Sequence, residues 1–329
     1  MHNQTKSSVS LIKVEFIFFI VSCLLAVAGC SSGKPNGVTE GSEPAKTSPA
    51  PAPAPDFQKQ HEQAEEELRP GIEAERQKDQ KEAEQGLDQD AIAAIGQTDT
   101  AIKAIAANNK NDAMAAIEAA TGKINILLAR NPASGLIPVH VYVGVIDVAP
   151  EDIKAIDVIV QAATDATKQR HLPGARLLLA SLVSELRIQT TFLPLATYPA
   201  ALQQAARLLD QGKNQDAGTV LLRAVNTLVI DDRVVPIPLI LAQAAIDAAN
   251  AQRQNKNVAL PLLQTAKNEA NRSLHLGYMS DDPEYKALDN EISTLESAVK
   301  GTSDTSSMFS HLRDRIAAFI KRQKEHKPS

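Results

Sequence analysis

The chain has no tryptophan, and phenylalanine and tyrosine bring aromatic residues to only 3 % of the total. That scarcity argues against a β-sandwich, whose facing sheets are filled by aromatic and β-branched side chains. Alanine recurs throughout instead, and it is the best helix former and a poor strand former. Cysteine is almost as scarce, with Cys23 and Cys30 the only two. Neither falls in the body of the chain, which excludes a disulfide framework, a cysteine nucleophile and a thiolate metal site there. Basic excess is missing as well: Lys and Arg number 34 against 39 Asp and Glu, a net charge of −5. No basic stripe with interleaved aromatics appears, so the composition excludes nucleic acid as a partner.

A long hydrophobic run is also lacking. The strongest apolar stretch, Phe16 to Gly29, has the length of a signal-peptide core and falls short of the roughly 20 residues that a spanning helix requires. Lys6 and Lys13 precede it, and it closes on Val27-Ala28-Gly29-Cys30, which resembles a bacterial lipobox. Residues 1–29 are expected to be a lipoprotein signal peptide. Cys30 is then the lipid anchor, holding the protein on a membrane through its acyl chains with no transmembrane helix. An uncleaved anchor or an ordinary secreted chain is the alternative. Ser31, where an aspartate would signal retention at the inner membrane, favours the outer membrane with the protein facing the periplasm.

Residues 30–56 are dominated by Ser, Gly, Pro and Ala, including the alternating run from Ser48 to Pro55. This composition buries no apolar surface, and its prolines stiffen it, so it is read as a disordered tether. Residues 57–88 are densely charged, as in Glu65-Glu66-Glu67 and Lys78-Asp79-Gln80-Lys81-Glu82. A solvated, partly formed helix broken at Pro70 is expected there.

Residues 89–329 carry a repeated pattern. With Ala113, Ala175, Ala217 and Ala259 aligned, the positions four residues on are Ile117, Leu179, Leu221 and Leu263. Seven on are Ala120, Leu182, Ala224 and Ala266; eleven on are Ile124, Leu186, Leu228 and Ala270. Offsets of 0, 4, 7 and 11 trace one face of a helix. A polar turn precedes each helix, and another alanine-rich amphipathic segment precedes each turn, which makes four helical hairpins. Their registers differ by 62, 42 and 42 residues, and the longer first interval contains Ile137 to Asp147, where β-branched residues recur with period two as in a strand. Leu228 to Pro236 is a second extended candidate, with a hairpin turn at Asp231-Asp232 as one form; irregular loops with buried valines are the alternative for both. Phe309, Leu312, Ile316, Phe319 and Ile320 share one face of a terminal helix, expected to pack on the rest, with a membrane-surface helix as the alternative. The expected fold is mainly α: a bundle of stacked helical hairpins with a small β-ribbon.

Several segments resemble the bacterial YfdX family. They are Leu136-Ile-Pro-Val139, Ala175-Arg-Leu-Leu178 with Ser184-Glu-Leu186, Leu193-Pro-Leu-Ala-Thr-Tyr-Pro199, Val235-Pro-Ile-Pro-Leu239 and Leu276-Gly-Tyr278, within residues 90 to 300. The resemblance implies a helical, exported protein linked to acid, heat or general envelope stress, and it brings no catalytic residues. A lipobox and a proline-rich tether depart from the simple secreted form and imply a membrane-tethered variant.

Motifs for chemistry are sparse. His140, His171, His275 and His311 lie far apart without metal-ligand spacing, and no nucleophile elbow or phosphate loop is present. No cofactor, metal or enzymatic activity is expected. Asp281-Asp282-Pro-Glu284 reads as a cap for the helix that follows, with cation binding as the alternative. The four tyrosines, Tyr142, Tyr198, Tyr278 and Tyr285, are candidates for a groove that takes a peptide or small molecule, or else each hydroxyl bonds a backbone carbonyl at a helix end. The expected function is non-enzymatic stress tolerance through binding of other proteins, with chaperone-like capture of unfolding clients as one form of it. A small-molecule-binding envelope protein is the alternative, and self-association through apolar hairpin faces is compatible with both.

Overall fold

The computed structural model describes residues 66–278, 282–301 and 304–325. The signal-peptide, lipid-anchor and tether expectations, Cys30 included, lie outside the described residues.

The chain runs α1 (Pro70–Gln85), α2 (Gln89–Ala106), α3 (Lys110–Arg130), β1 (Leu136–Asp147), α4 (Ile153–Lys168), α5 (Leu172–Ala180) and β2 (Ser184–Pro194). It continues through α6 (Tyr198–Asp210), α7 (Asn214–Val225), β3 (Val229–Pro236), α8 (Ile237–Ala251) and α9 (Lys256–His275). A single turn α10 (Pro283–Lys286), then α11 (Leu288–Lys300) and α12 (Ser306–Glu325) complete it. The four predicted hairpins are α2–α3, α4–α5, α6–α7 and α8–α9. Three of their tight turns rest on a residue with positive φ, namely Asn108 at 55°, Arg170 at 58° and Gly212 at 76°. A side-chain oxygen caps the helices at Asp88 and Asn109, supplying a partner for N–H groups that the first turn leaves unpaired.

Ala113, Ala175, Ala217 and Ala259 are all buried. The matched register fails further along in two units, for a local reason. The second helix is 21 residues long in α3 but 9 in α5 and 12 in α7. In the second unit Leu182 therefore falls past the helix end and Leu186 inside β2, while Leu179 points to solvent. In the third, Leu228 falls in the connection to β3. The unequal intervals come in part from this difference in helix length, together with longer connections on either side of β1, and not from a strand confined to the first interval. A strand follows each of the first three hairpins.

Those strands form one antiparallel sheet in the order β1-β2-β3. Leu136 pairs with Pro194 at one end of the β1–β2 ladder and Asp147 with Ser184 at the other. The central strand β2 was not anticipated, although Ile188-Gln-Thr-Thr-Phe192 has the β-branched and aromatic content of one. β3 is a single strand: Asp231 and Asp232 pair with Thr190 and Gln189 and make no turn.

The sheet joins two apolar cores. Ile137 and Val139 of β1, with Leu193 and Leu195 beside them, pack into a core with α2, α3, α6 and α7. Val141 and Val143 of β1, Leu186 and Ile188 of β2 and Val235 of β3 pack into a second with α8, α9, α11 and α12. The bulge between Pro138 and His140 lies where β1 passes from one core to the other. Phe309, Leu312, Ile316, Phe319 and Ile320 are all buried in the second core, as the terminal pattern requires. Pro70 opens α1 instead of breaking it, since its fixed φ suits the first helical position and its missing N–H has no partner there anyway. The charged segment is thus ordered from α1 onward and packs against the sheet and α8, with Ile72 and Asp79 buried.

Candidate functional site

The four tyrosines do not line one groove. Tyr198 lies in the core of α2, α3, α6 and α7, where its hydroxyl donates to Thr98 Oγ1 at 2.9 Å. Burial pushes that phenol up to about 12. Tyr285 lies in the other core, donating to the Ala270 carbonyl at 2.9 Å and packed edge-on to Phe319 with ring centroids 5.2 Å apart. Burial raises its hydroxyl still further. Tyr142 is 58 % exposed on β1. Tyr278 is half-buried and its hydroxyl is fully engaged, accepting from the Ser184 amide at 3.2 Å and donating to Glu185 Oε2 at 3.1 Å. Burial raises this phenol strongly as well. Of the alternative reading, a bond to a backbone carbonyl, Tyr285 is an instance, whereas Tyr278 accepts from a backbone amide and donates to a carboxylate.

His171 and His311 are exposed, and His140 sits on the exposed side of β1. His275 Nδ1 lies 2.6 Å from Asp157 Oδ1, tying α9 to α4. Among the described residues no group of three or more His, Cys, Asp or Glu is arranged to hold a metal ion. Asp282 caps α10 by accepting from the Glu284 amide, and Arg322 meets its other oxygen at 2.9 Å.

Sequence reasoning missed a buried polar cluster at the end of the β1–β2 ladder, where the chain leaves the sheet for α4–α5. Arg272 of α9 is almost wholly enclosed. It donates from Nε to the Pro150 carbonyl at 3.0 Å, from Nη2 to the Ala149 carbonyl at 3.1 Å, and from Nη1 to the buried Glu269 at 3.2 Å. Asp147 stands 3.6 Å from Nη2, accepts from Ser184 Oγ at 2.8 Å, and takes a second cation, Arg69, at 3.0 Å. Glu185 pairs with Arg187 at 2.6 Å and with Tyr278. The signal available in the sequence was Glu269 and Arg272, three apart and beside the alanine stripe of α9. Every carboxylate named here already faces a cation or a hydroxyl, so the cluster acts as a brace that fixes the root of α4–α5.

The braced hairpin presents apolar side chains outward. Leu177 is 75 % exposed, Val158 68 % and Leu179 55 %, and Val148 and Leu172 are exposed as well. Leu172 and Leu179, seven residues apart, share a face of α5. The hairpin buries little of its own, with Ile156, Ala163 and Ala175 its enclosed side chains. Among the described residues no helix is long and apolar enough to cross a membrane.

Fold and surface thus define a mainly α protein of helical hairpins threaded on a three-stranded sheet. Residues 94–234, less than half of the chain, match the family described as YfdX protein. The match spans the first three hairpins and most of the sheet; Val235-Pro-Ile-Pro-Leu239 and Leu276-Gly-Tyr278 lie beyond it. A solved structure of Salmonella Typhi YfdX is 16 % identical, covering 45 % of this chain and 92 % of its own at a TM-score of 0.31. No curated protein matches the chain.

Proposed function

We propose that this chain is a YfdX-family, non-enzymatic, periplasm-facing stress-tolerance lipoprotein that binds unfolding proteins through α4–α5. The observation that carries this reading is the set of exposed aliphatic side chains at Val148, Val158, Leu172, Leu177 and Leu179 on a hairpin that the Arg272 brace holds in place. Exposed apolar side chains offer contact to the apolar segments that unfolding chains expose. The hairpin lies inside the region that matches the family. Cys30 supplies the membrane attachment in this reading, and residues 30–56 hold the folded part away from the lipid surface. A second copy of the chain meeting the same hairpin would compete with clients for it.

Light scattering from a periplasmic protein unfolding on heating tests this. The wild-type chain is expected to suppress scattering at equimolar concentration, and a Val158→Ser, Leu177→Ser, Leu179→Ser variant is expected to lose most of that effect. Absence of suppression by the wild type, together with unchanged survival of a deletion strain under heat or acid, would overturn the reading.

A further inference from the structure

Among the described residues the outer edge of β1 has no neighbouring strand, yet three of its backbone groups are bonded by side chains of α1. Gln80 Nε2 donates to the Val141 carbonyl at 3.3 Å, and the Val143 amide donates to Gln80 Oε1 at 2.9 Å. Arg76 Nη1 reaches the Val143 carbonyl at 3.4 Å. One carboxamide therefore makes the two bonds, to the C=O of one residue and the N–H two positions on, that a single residue of a parallel neighbouring strand would make. Gln80 stands in the place of one residue of a neighbouring strand.

The helix that brings Gln80 there is attached mainly by polar contacts. Ile72 is its one fully buried apolar side chain. Arg69, just ahead of it, bonds Asp147 and Glu151, both at 3.0 Å, and Lys324 bonds Glu75 at 2.7 Å and Asp79 at 2.5 Å. Polar attachment of this kind opens locally at lower free energy than a packed apolar helix does.

We propose that the outer edge of β1 is a strand-addition site for extended segments of unfolding proteins, and that α1 is its displaceable cover. The proposal rests on the client-binding reading above and adds a second surface to it. Main-chain bonding is blind to side-chain identity, which suits a partner defined by being unfolded and not by its sequence. The exposed Tyr142 and Val145 on the same strand supply apolar contact to the incoming segment. An uncovered edge would also pair with other copies of the chain, and α1 prevents this at rest.

A covalent lock gives the test. A Cβ built on Gly71 of α1 lies 3.7 Å from the Ala244 Cβ of α8, within the separation of roughly 3.5–4.5 Å that a disulfide spans. The full chain carrying Gly71→Cys and Ala244→Cys, with Cys23 and Cys30 changed to alanine, is compared oxidised and reduced. The probe is a fluorescein-labelled peptide of alternating valine and threonine, with a form N-methylated at every second residue as control. The reduced protein is expected to bind the probe at least tenfold more tightly than the oxidised one, and to lose most of that affinity for the methylated form. Gln80→Ala, which uncovers the edge without removing α1, is expected to bind severalfold more tightly than the wild type. Hydrogen exchange at the Val143 amide is expected to slow on oxidation and again on probe binding. Equal affinity in the two redox states, indifference to N-methylation, or no binding by the reduced protein would overturn the proposal. Loss of client suppression in the hairpin serine variant with probe binding unchanged supports two separate surfaces; absence of suppression by the wild type fails the client reading alone.

Discussion

Arg272 carries its charge into the interior because oxygens meet it there: two backbone carbonyls, Glu269 and Asp147. Removing one member of a buried ion pair leaves the other charge enclosed, whereas replacing both with apolar groups often does not. Arg272→Met is therefore expected to cost about 3–5 kcal/mol, and Arg272→Met with Glu269→Leu substantially less than the single change. Urea unfolding of the three proteins checks this, and equal loss in the single and double variants would show that the carbonyl bonds and not the ion pair dominate. Tyr278→Phe removes one hydroxyl from the same cluster and is expected to cost about 1 kcal/mol. Tyr278 was recognisable in the sequence as an unusual residue, but its task was not. Its partners Ser184 and Glu185 are 94 and 93 positions away, and no local pattern announces a bond across that distance. Glu269 and Arg272 were hidden for the opposite reason: charges three apart on a helix ordinarily read as a solvated pair.

At the scale of elements, what could be read was what repeats locally. The hairpins announce themselves through alanine spacing and polar turns, and the buried alanines at Ala113, Ala217 and Ala259 confirm the face. Helix length did not repeat, and the pattern gave no warning that α5 ends at Ala180. Leu179 consequently occupies a position that its register assigns to the interior and its helix end delivers to solvent. Two substitutions separate these cases. Ala217→Leu overpacks a fully enclosed site and is expected to cost about 1–3 kcal/mol. Leu179→Ser is expected to leave stability within about 0.5 kcal/mol of the wild type, because a surface position loses little on truncation. Chemical unfolding measures both. A large loss at Leu179 would mean that its exposed face is covered by a second copy in solution. β2 escaped notice because its polar residues break up its apolar content: Ser184 and Glu185 are buried in the cluster around Arg272, and Gln189-Thr-Thr191 are half-buried. Its pairing with strands on both sides is fixed only by the fold.

Across the whole molecule, α1 and the last helix are pinned together by Lys324, which is 249 positions from Glu75 and 245 from Asp79. The two carboxylates share one lysine and respond to it in opposite directions. Burial pulls Glu75 upward, but the bond and charge of Lys324, with Lys78 adding to them, outweigh it and hold Glu75 below its usual range. Burial pushes Asp79 above its usual range by more than Lys324 offsets, and its Oδ2 is enclosed without a hydrogen-bond partner. A carboxylate held low stabilises the fold above its ordinary pKa, and that contribution is lost as the pH falls through the lowered value. A carboxylate held high does the reverse: its contribution is complete below the ordinary value and is lost as the pH rises through the raised one. Glu75→Gln is therefore expected to be less stable than the wild type at pH 7, with the gap closing on acidification below the usual carboxylate range. Asp79→Asn is expected to gain on the wild type as the pH rises from 3 to 7. Unfolding curves for the three proteins at pH 3, 5 and 7 read both trends. If both variants instead lost ground to the wild type as the pH rose, Lys324 would be holding both carboxylates low, and the attachment of α1 would weaken in acid.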